Sequence, residues 1–356
     1  VTAADPDAWR ALALAPPFAL GGPVGEGVLR ASAEDFLVDE QLGFEPDGGS
    51  AHLLLHVEKR ERDTLAVAGD LARLAGVASR DVGFAGLKDR VAVARQWFTV
   101  PSPREPVDWV GLEGRGFRVL AAAGQSRKLR RGALAGNAFT LVLREVTAPV
   151  DLLEARLAAV AAHGVPNYFG PQRFGRDGSN LDAIAWWLNE GRLPRGREGR
   201  AFVLSAARSL LFNAVLAARV ADGSWNRLLE GECINLAGRN SWFVADAVDA
   251  TLEERLLRHD VHPTGPLVGT GRGPGGAAAM LEARVLEPFA ALRERLEGEG
   301  LEAARRALRL VPGQLQATRE GAMLTLGFSL PSGAYATALI REVLATAHPL
   351  QESDDA

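Results

Sequence analysis

Apolar side chains at alternate positions, or in short β-branched runs, mark residues 52–57 and 137–144 as strands. Between them Leu65, Ala68, Leu71 and Leu74 fall along one face of a helix that Thr64 can cap and Gly76 can stop in the left-handed conformation. After residue 150 the period lengthens. Residues 151–163 read as a helix closed by Gly164, and a long apolar helical segment runs over 202–220. The Gly/Pro-rich run 262–276 reads as an exposed loop, 324–330 returns to strand character, and 334–347 reads as a closing helix. A strand-rich start, a helical middle and a late strand predict an α+β (mixed α/β) chain whose last segment rejoins the first domain around an insertion.

Composition sharpens this picture. A chain of 356 residues that is 47% hydrophobic can bury two cores, and 24% charged residues argue against long disorder. Cys233 is the one cysteine, which excludes an internal disulfide framework and a cysteine-rich metal cluster and fits a reducing compartment. The apolar stretch 11–20 contains Pro16 and Pro17, follows Asp5 and Asp7, and lacks the basic leader of a signal peptide. No segment reaches the roughly 18 uninterrupted apolar residues of a membrane span. A soluble, unexported, cytoplasmic protein with no membrane partner is expected.

A net charge of −4 and a pI near 6.0 remove any whole-molecule argument for nucleic-acid binding. Local distribution is different. Residues 114–144 hold no acid, while Arg115, Arg118, Arg127, Lys128, Arg130, Arg131 and Arg144 supply seven positive charges. Such a stretch suits phosphates, although a solvated basic loop has the same composition.

Several motifs fail on inspection. Gly271, Gly273 and Gly276 satisfy the spacing of a dinucleotide fingerprint, but no apolar strand leads in and Pro274 interrupts the helix that should come next. His259 and His262 lack the further ligands of a metal site and read as a solvated pair. No metal and no organic cofactor is expected.

What remains is Phe84-Ala85-Gly86-Leu87-Lys88-Asp89-Arg90, followed closely by Gln96-Trp97-Phe98. A short strand ends at Gly86 and a carboxylate sits between two cations, which favour the ionised form that a nucleophile or base requires. Taken alone, the Lys-Asp-Arg triplet is an ordinary surface turn. Three further segments add weight: Arg30 ahead of Glu34-Asp35-Phe36, Gly136-Asn137-Ala138-Phe139 opening a strand, and residues 165–175, dense in glycine, aromatics and amides. Each has the composition of a binding loop, and each has a plainer reading as core aromatics or a rigid linker.

At these residues the chain resembles bacterial tRNA pseudouridine synthase D, the TruD family, over nearly its full length. The matching stretches include Leu42-Gly43-Phe44-Glu45-Pro46-Asp47-Gly48, Ala85-Gly86-Leu87-Lys88-Asp89, Arg127-Lys128-Leu129-Arg130, residues 136–144 and 165–175, Leu204-Ser205-Ala206-Ala207-Arg208-Ser209 and Gly238-Arg239-Asn240-Ser241-Trp242-Phe243.

The resemblance implies a pseudouridine synthase catalytic domain with a mostly antiparallel sheet, formed by residues 1–155 and 308–356, and a family-specific α/β insertion over 156–307. It implies isomerisation of uridine-13 of tRNA without a metal or cofactor. The sequence carries no positive signal for dimerisation, so a monomer with no protein partner is expected. Asp89 falls on the family's nucleophilic aspartate, and Phe36, Asn137 and Tyr335 on positions used around the target nucleotide. Arg30 stands where the family often has lysine, and its planar fork is able to hold Asp89 in two contacts. Tyr335 stands where relatives commonly have phenylalanine, so stacking is the role carried over, with proton transfer by its hydroxyl an alternative. Arg127, Lys128, Arg130, Arg131 and Arg173 are the expected contacts to the tRNA backbone. A non-catalytic tRNA-binding or folding module is the competing reading.

Overall fold

The computed structural model describes residues 6–103, 105–239 and 241–347; Asn240, within one of the matching stretches, lies outside them. The chain forms two compact units, each assembled from three segments. Among the described residues, one comprises Val24–Leu153, Pro312–Ala334 and 344–347; the other comprises 6–23, Glu154–Val311 and Tyr335–Val343. The expected boundaries after 155 and 307 therefore differ from the compact units by a few residues. A larger difference is that residues 6–23 and 335–343 pack with the helical unit.

The first unit is built on an 11-stranded sheet. Its main path runs Gly313–Glu320, Met323–Pro331, Gly136–Arg144, Phe36–Gln41, Val93–Pro101, His52–Arg60, Phe117–Gln125 and Glu113–Gly114. Pairing is antiparallel except between Phe36–Gln41 and Val93–Pro101 and between Glu26–Leu29 and Ala345–Ala347. A mixed, mostly antiparallel sheet is what an α+β chain with period-two strands should form. In Met323–Pro331, Leu324, Leu326, Phe328 and Leu330 are buried while the intervening residues are half-buried or exposed. The helix Thr64–Ala75 lays Val67, Ala68, Leu71 and Ala75 against Leu55, Val57, Phe84, Phe98 and Val119.

Two glycines are dictated locally. Gly76 ends the helix at φ 66, releasing its N–H to the last carbonyls. A Cβ on Gly136 would lie 2.3 Å from the carbonyl oxygen of Leu330, so the start of that strand can approach its neighbour only as glycine.

The second unit packs around the helix Arg197–Ala221, which contributes Leu204, Leu210, Leu211, Phe212, Val215 and Leu216 to one large core. Its length and apolarity match a membrane span, but 67% of the most apolar window is buried inside the protein and it carries buried Asn213 and Arg219. Both polar groups are satisfied. Asn213 Oδ1 accepts from the Phe169 N–H at 3.0 Å, and Arg219 pairs with buried Glu232 at 3.0 Å.

Three expectations change. Residues 262–276 are not one loop: Val261–Leu267 is a largely buried strand between Cys233–Leu236 and Ala304–Ala307, despite Pro263 and Pro266. The closing helix is only Ala336–Val343, because Ala345–Ala347 leaves it to pair in parallel with Glu26–Leu29. His262 is no solvated partner of His259. Its Nδ1 receives Arg309 Nε at 3.2 Å, and burial, with Arg309 and His259, pushes its pKa down to about 3.

Candidate active site

The first unit gathers Arg30, Phe36, Asp89 and Asn137 around the loop after Phe84. Arg30 follows the strand Glu26–Leu29 in the left-handed region, with φ 63, a conformation that costs a non-glycine residue on the order of 1 kcal/mol. The strained backbone carries a buried guanidinium whose Nη2 meets Asp89 Oδ2 at 2.6 Å; side-chain exposures are 4% and 34%. The contact runs through one nitrogen and not the two-pronged fork that an arginine permits. The guanidinium also lies 4.0 Å above the Phe36 ring.

Phe36 is 4% exposed and meets Phe139 edge-on at 6.1 Å, while Phe139 stacks on Phe328 at 5.4 Å. Phe36 is thus the platform of Arg30 and not an open stacking face.

The loop itself is held at its backbone. Gln96 Nε2 donates to the Gly86 carbonyl at 2.5 Å, and the Lys88 N–H donates to Thr64 Oγ1 at 3.1 Å. Thr64 is therefore the first residue of its helix and a prop for the loop, while Asp63 occupies the cap position. Below the loop, fully buried Lys59 donates to the carbonyls of Asp89 at 2.7 Å, Arg62 at 2.7 Å and Lys88 at 3.5 Å. Burial lowers the Lys59 pKa to about 8, against the opposing pull of Asp89 and Asp63.

Next to Asp89, the Lys88 ammonium sits between Glu40 Oε1, at 3.1 Å, and the carboxamide oxygen of Asn137, to which it donates a hydrogen bond. Glu40 is fully shielded from solvent, and its Oε2 accepts the Trp97 N–H at 2.9 Å. Sheet register makes this cluster, since Glu40 and Asn137 are direct cross-strand partners.

Glu40 and Lys59 escaped the sequence reading, which also missed the part that Thr64 and Gln96 play in holding the loop. A signal existed for two of them. Glu40 shares the inward phase of its strand with Phe36 and Val38, and Lys59 that of Leu55 and Val57, so each is a charge at a position that alternation assigns to the core.

Arg127, Lys128, Arg130 and Arg131 are all exposed, on the loop before Gly136–Arg144. With Phe44, Gln125, Leu129 and Ala133, the first three line a recess of about 610 Å³. Arg131 instead lies 4.2 Å above the Phe84 ring, and Lys128 donates to the Arg80 carbonyl at 2.5 Å.

Tyr335 and Arg173 belong to the second unit. Arg173 donates to the Tyr335 hydroxyl at 3.0 Å and to Ser205 Oγ at 3.1 Å, and is half-buried, so its guanidinium orients Tyr335 and is not simply extended into solvent. Among the described residues no cluster of His, Cys, Asp or Glu could hold a metal ion.

Comparison with known proteins adds to this geometry. The family model of tRNA pseudouridine synthase D (TruD) matches residues 17–194 and 198–343. A tRNA pseudouridine synthase D of Methylococcus capsulatus is 47% identical over 331 residues, covering 92% of this chain and 94% of the relative. One of Nitrosococcus oceani is 45% identical over 335 residues with the same coverage, 92% and 94%. A crystal structure from Methanosarcina mazei, named for TruD, shares the fold at a TM-score of 0.70 and 22% identity, over 96% of this chain and 98% of that one.

Proposed function

Because the chain belongs to the tRNA pseudouridine synthase D family, we propose that it isomerises uridine to pseudouridine in tRNA, at uridine-13, with Asp89 as the nucleophile. The observation that carries this reading is the 2.6 Å contact between Asp89 and the buried Arg30 guanidinium, which aims one carboxylate from a loop pinned at its backbone. A partly exposed aspartate with a buried cation behind it is equipped to attack and to be released again.

A uridine stacked within tRNA hides its glycosidic bond, so the nucleotide must leave the stack, at a cost of a few kcal/mol, roughly, that protein contacts offset. In the first unit Asn137 contacts the base, Phe36 backs the site as the platform of Arg30, and Arg127, Lys128, Arg130 and Arg131 meet backbone phosphates; the second unit, taken by itself, offers Tyr335 for stacking and Arg173 for a phosphate, the roles that the family resemblance implies. Asp89 attacks the ribose anomeric carbon or the pyrimidine ring. In either route the bond from C1′ to N1 breaks, the base turns, a bond from C1′ to C5 forms as C5 loses a proton and N1 gains one, and the bond between Asp89 and carbon breaks to return the free carboxylate. Atoms and electrons balance within the nucleoside, so the reaction consumes no second substrate.

The test is Asp89→Ala on tRNA labelled with tritium at uridine C5. Binding should persist and tritium release should vanish; turnover near that of the unsubstituted protein removes Asp89 from this role.

A further inference from the structure

The Lys88 ammonium can only donate hydrogen bonds, so the Asn137 atom that meets it is the carboxamide oxygen, whichever way the amide would otherwise be assigned. Fully shielded Glu40, itself anchored by the Trp97 N–H, holds that ammonium from the other side at 3.1 Å. Turning the amide over would point two donors at a cation and sacrifice a charge-assisted hydrogen bond. The orientation is therefore locked. The Asn137 amide nitrogen has no hydrogen-bond partner among the described residues, is not among the buried unpaired polar atoms, and belongs to a half-buried side chain.

From this we infer that Glu40 and Lys88 turn Asn137 into a donor-only reader of the extruded base, which accepts the C4 carbonyl of uracil and rejects the C4 amine of cytosine. The inference rests on the activity proposed above and names what selects its substrate. Asn137 touches the base; Lys88 and Glu40 act through it as positioning residues. Uracil offers acceptors at O2 and O4, whereas cytosine replaces the second with a donor, leaving two N–H groups opposed to one another. Arg30, which meets Asp89, and Lys88, which precedes it in the chain, are also pure donors.

The experiment measures binding, in an Asp89→Asn background, of two tRNA transcripts that differ only in carrying uridine or cytidine at the position that carbodiimide mapping shows to be modified. The parent should prefer uridine by on the order of 10-fold or more. Asn137→Asp lets Lys88 engage one carboxylate oxygen and leaves an acceptor toward the base, so the preference should vanish or invert. Lys88→Met frees the amide to turn, and the preference should shrink toward unity while affinity for the rest of the tRNA persists. A preference unchanged in a folded Asn137→Asp protein overturns the inference; where that variant does not fold, an unchanged preference in Lys88→Met does so. Absence of any pseudouridine made by the unsubstituted protein would instead overturn the activity on which it rests.

Discussion

The ammonium of Lys59, fully buried, donates to the carbonyl of Asp89 at 2.7 Å, so the backbone of the proposed nucleophile rests on a cation that water does not reach. The same nitrogen serves Arg62 and Lys88, and the charged groups felt there are Asp89 and Asp63, which favour its proton, and Lys88, which opposes it.

Activity should respond to that proton. In the folded protein Lys59 loses it as the pH rises through about 8, against 10.5 for an unperturbed lysine, and the neutral amine cannot satisfy three carbonyls. Turnover at saturating tRNA should fall over this range. Lys59→Met should lower kcat by on the order of 10-fold at neutral pH, with little change in tRNA affinity, and flatten the limb. The stability effect has the opposite sign. The penalty for burying the charge is present in full below about 8 and is relieved as the pH climbs from there toward 10.5. A pH–rate profile of both proteins decides it.

Arg30→Lys should keep the charge behind Asp89 but lose the stack on Phe36, reducing kcat by roughly 10-fold, whereas Arg30→Met should reduce it by roughly 100-fold or more. Single-turnover kinetics separate these from binding. Equal losses in both variants would mean that the charge is not what Arg30 supplies.

On the basic loop, Arg127 and Arg130 line the recess with Lys128 and are exposed. Replacing both with alanine should weaken tRNA binding and lower the slope of log K against log salt by about 0.7 to 0.9 per lost phosphate contact, leaving kcat at saturation unchanged. Titrations at several salt concentrations measure this directly.

Acid should weaken the second unit through His262. Burial, then Arg309 and His259, hold its pKa at about 3, while the unfolded chain takes up the proton near 6.5. Stability is therefore complete above 6.5 and declines as the pH falls toward 3, by up to about 1.4 kcal/mol per pH unit from this group. Denaturant unfolding of the unsubstituted protein and of His262→Asn between pH 7 and 5 should show a shallower decline in the variant.

Much of the fold was readable because it rests on local periodicity. Leu324, Leu326, Phe328 and Leu330 alternate and do line one buried face, and Gly76 stops its helix in the left-handed conformation. Asp89 stood out from its cationic neighbours and from the family resemblance around it, and its contact with Arg30 is present in the structure. Prolines misled the reading where tertiary pairing overrode them: Pro263 and Pro266 sit in a strand whose burial between two neighbours outweighs the missing donors. The end of the chain misled for a similar reason, since residues 345–347 find a strand partner more than 300 positions earlier.

By itself, then, the order of residues determined most of the strands and helices and singled out Asp89 as the candidate carboxylate, because these readings depend on neighbours a few positions away. Only the tertiary structure decided how that carboxylate is held. Arg30 reaches it across 59 positions, Lys59 supports it from 30 positions earlier, and Lys88 joins Glu40 to Asn137 only because sheet register sets those two strands side by side. Contacts of that span have no period along the chain, and their energy exists only once the sheet has brought them together.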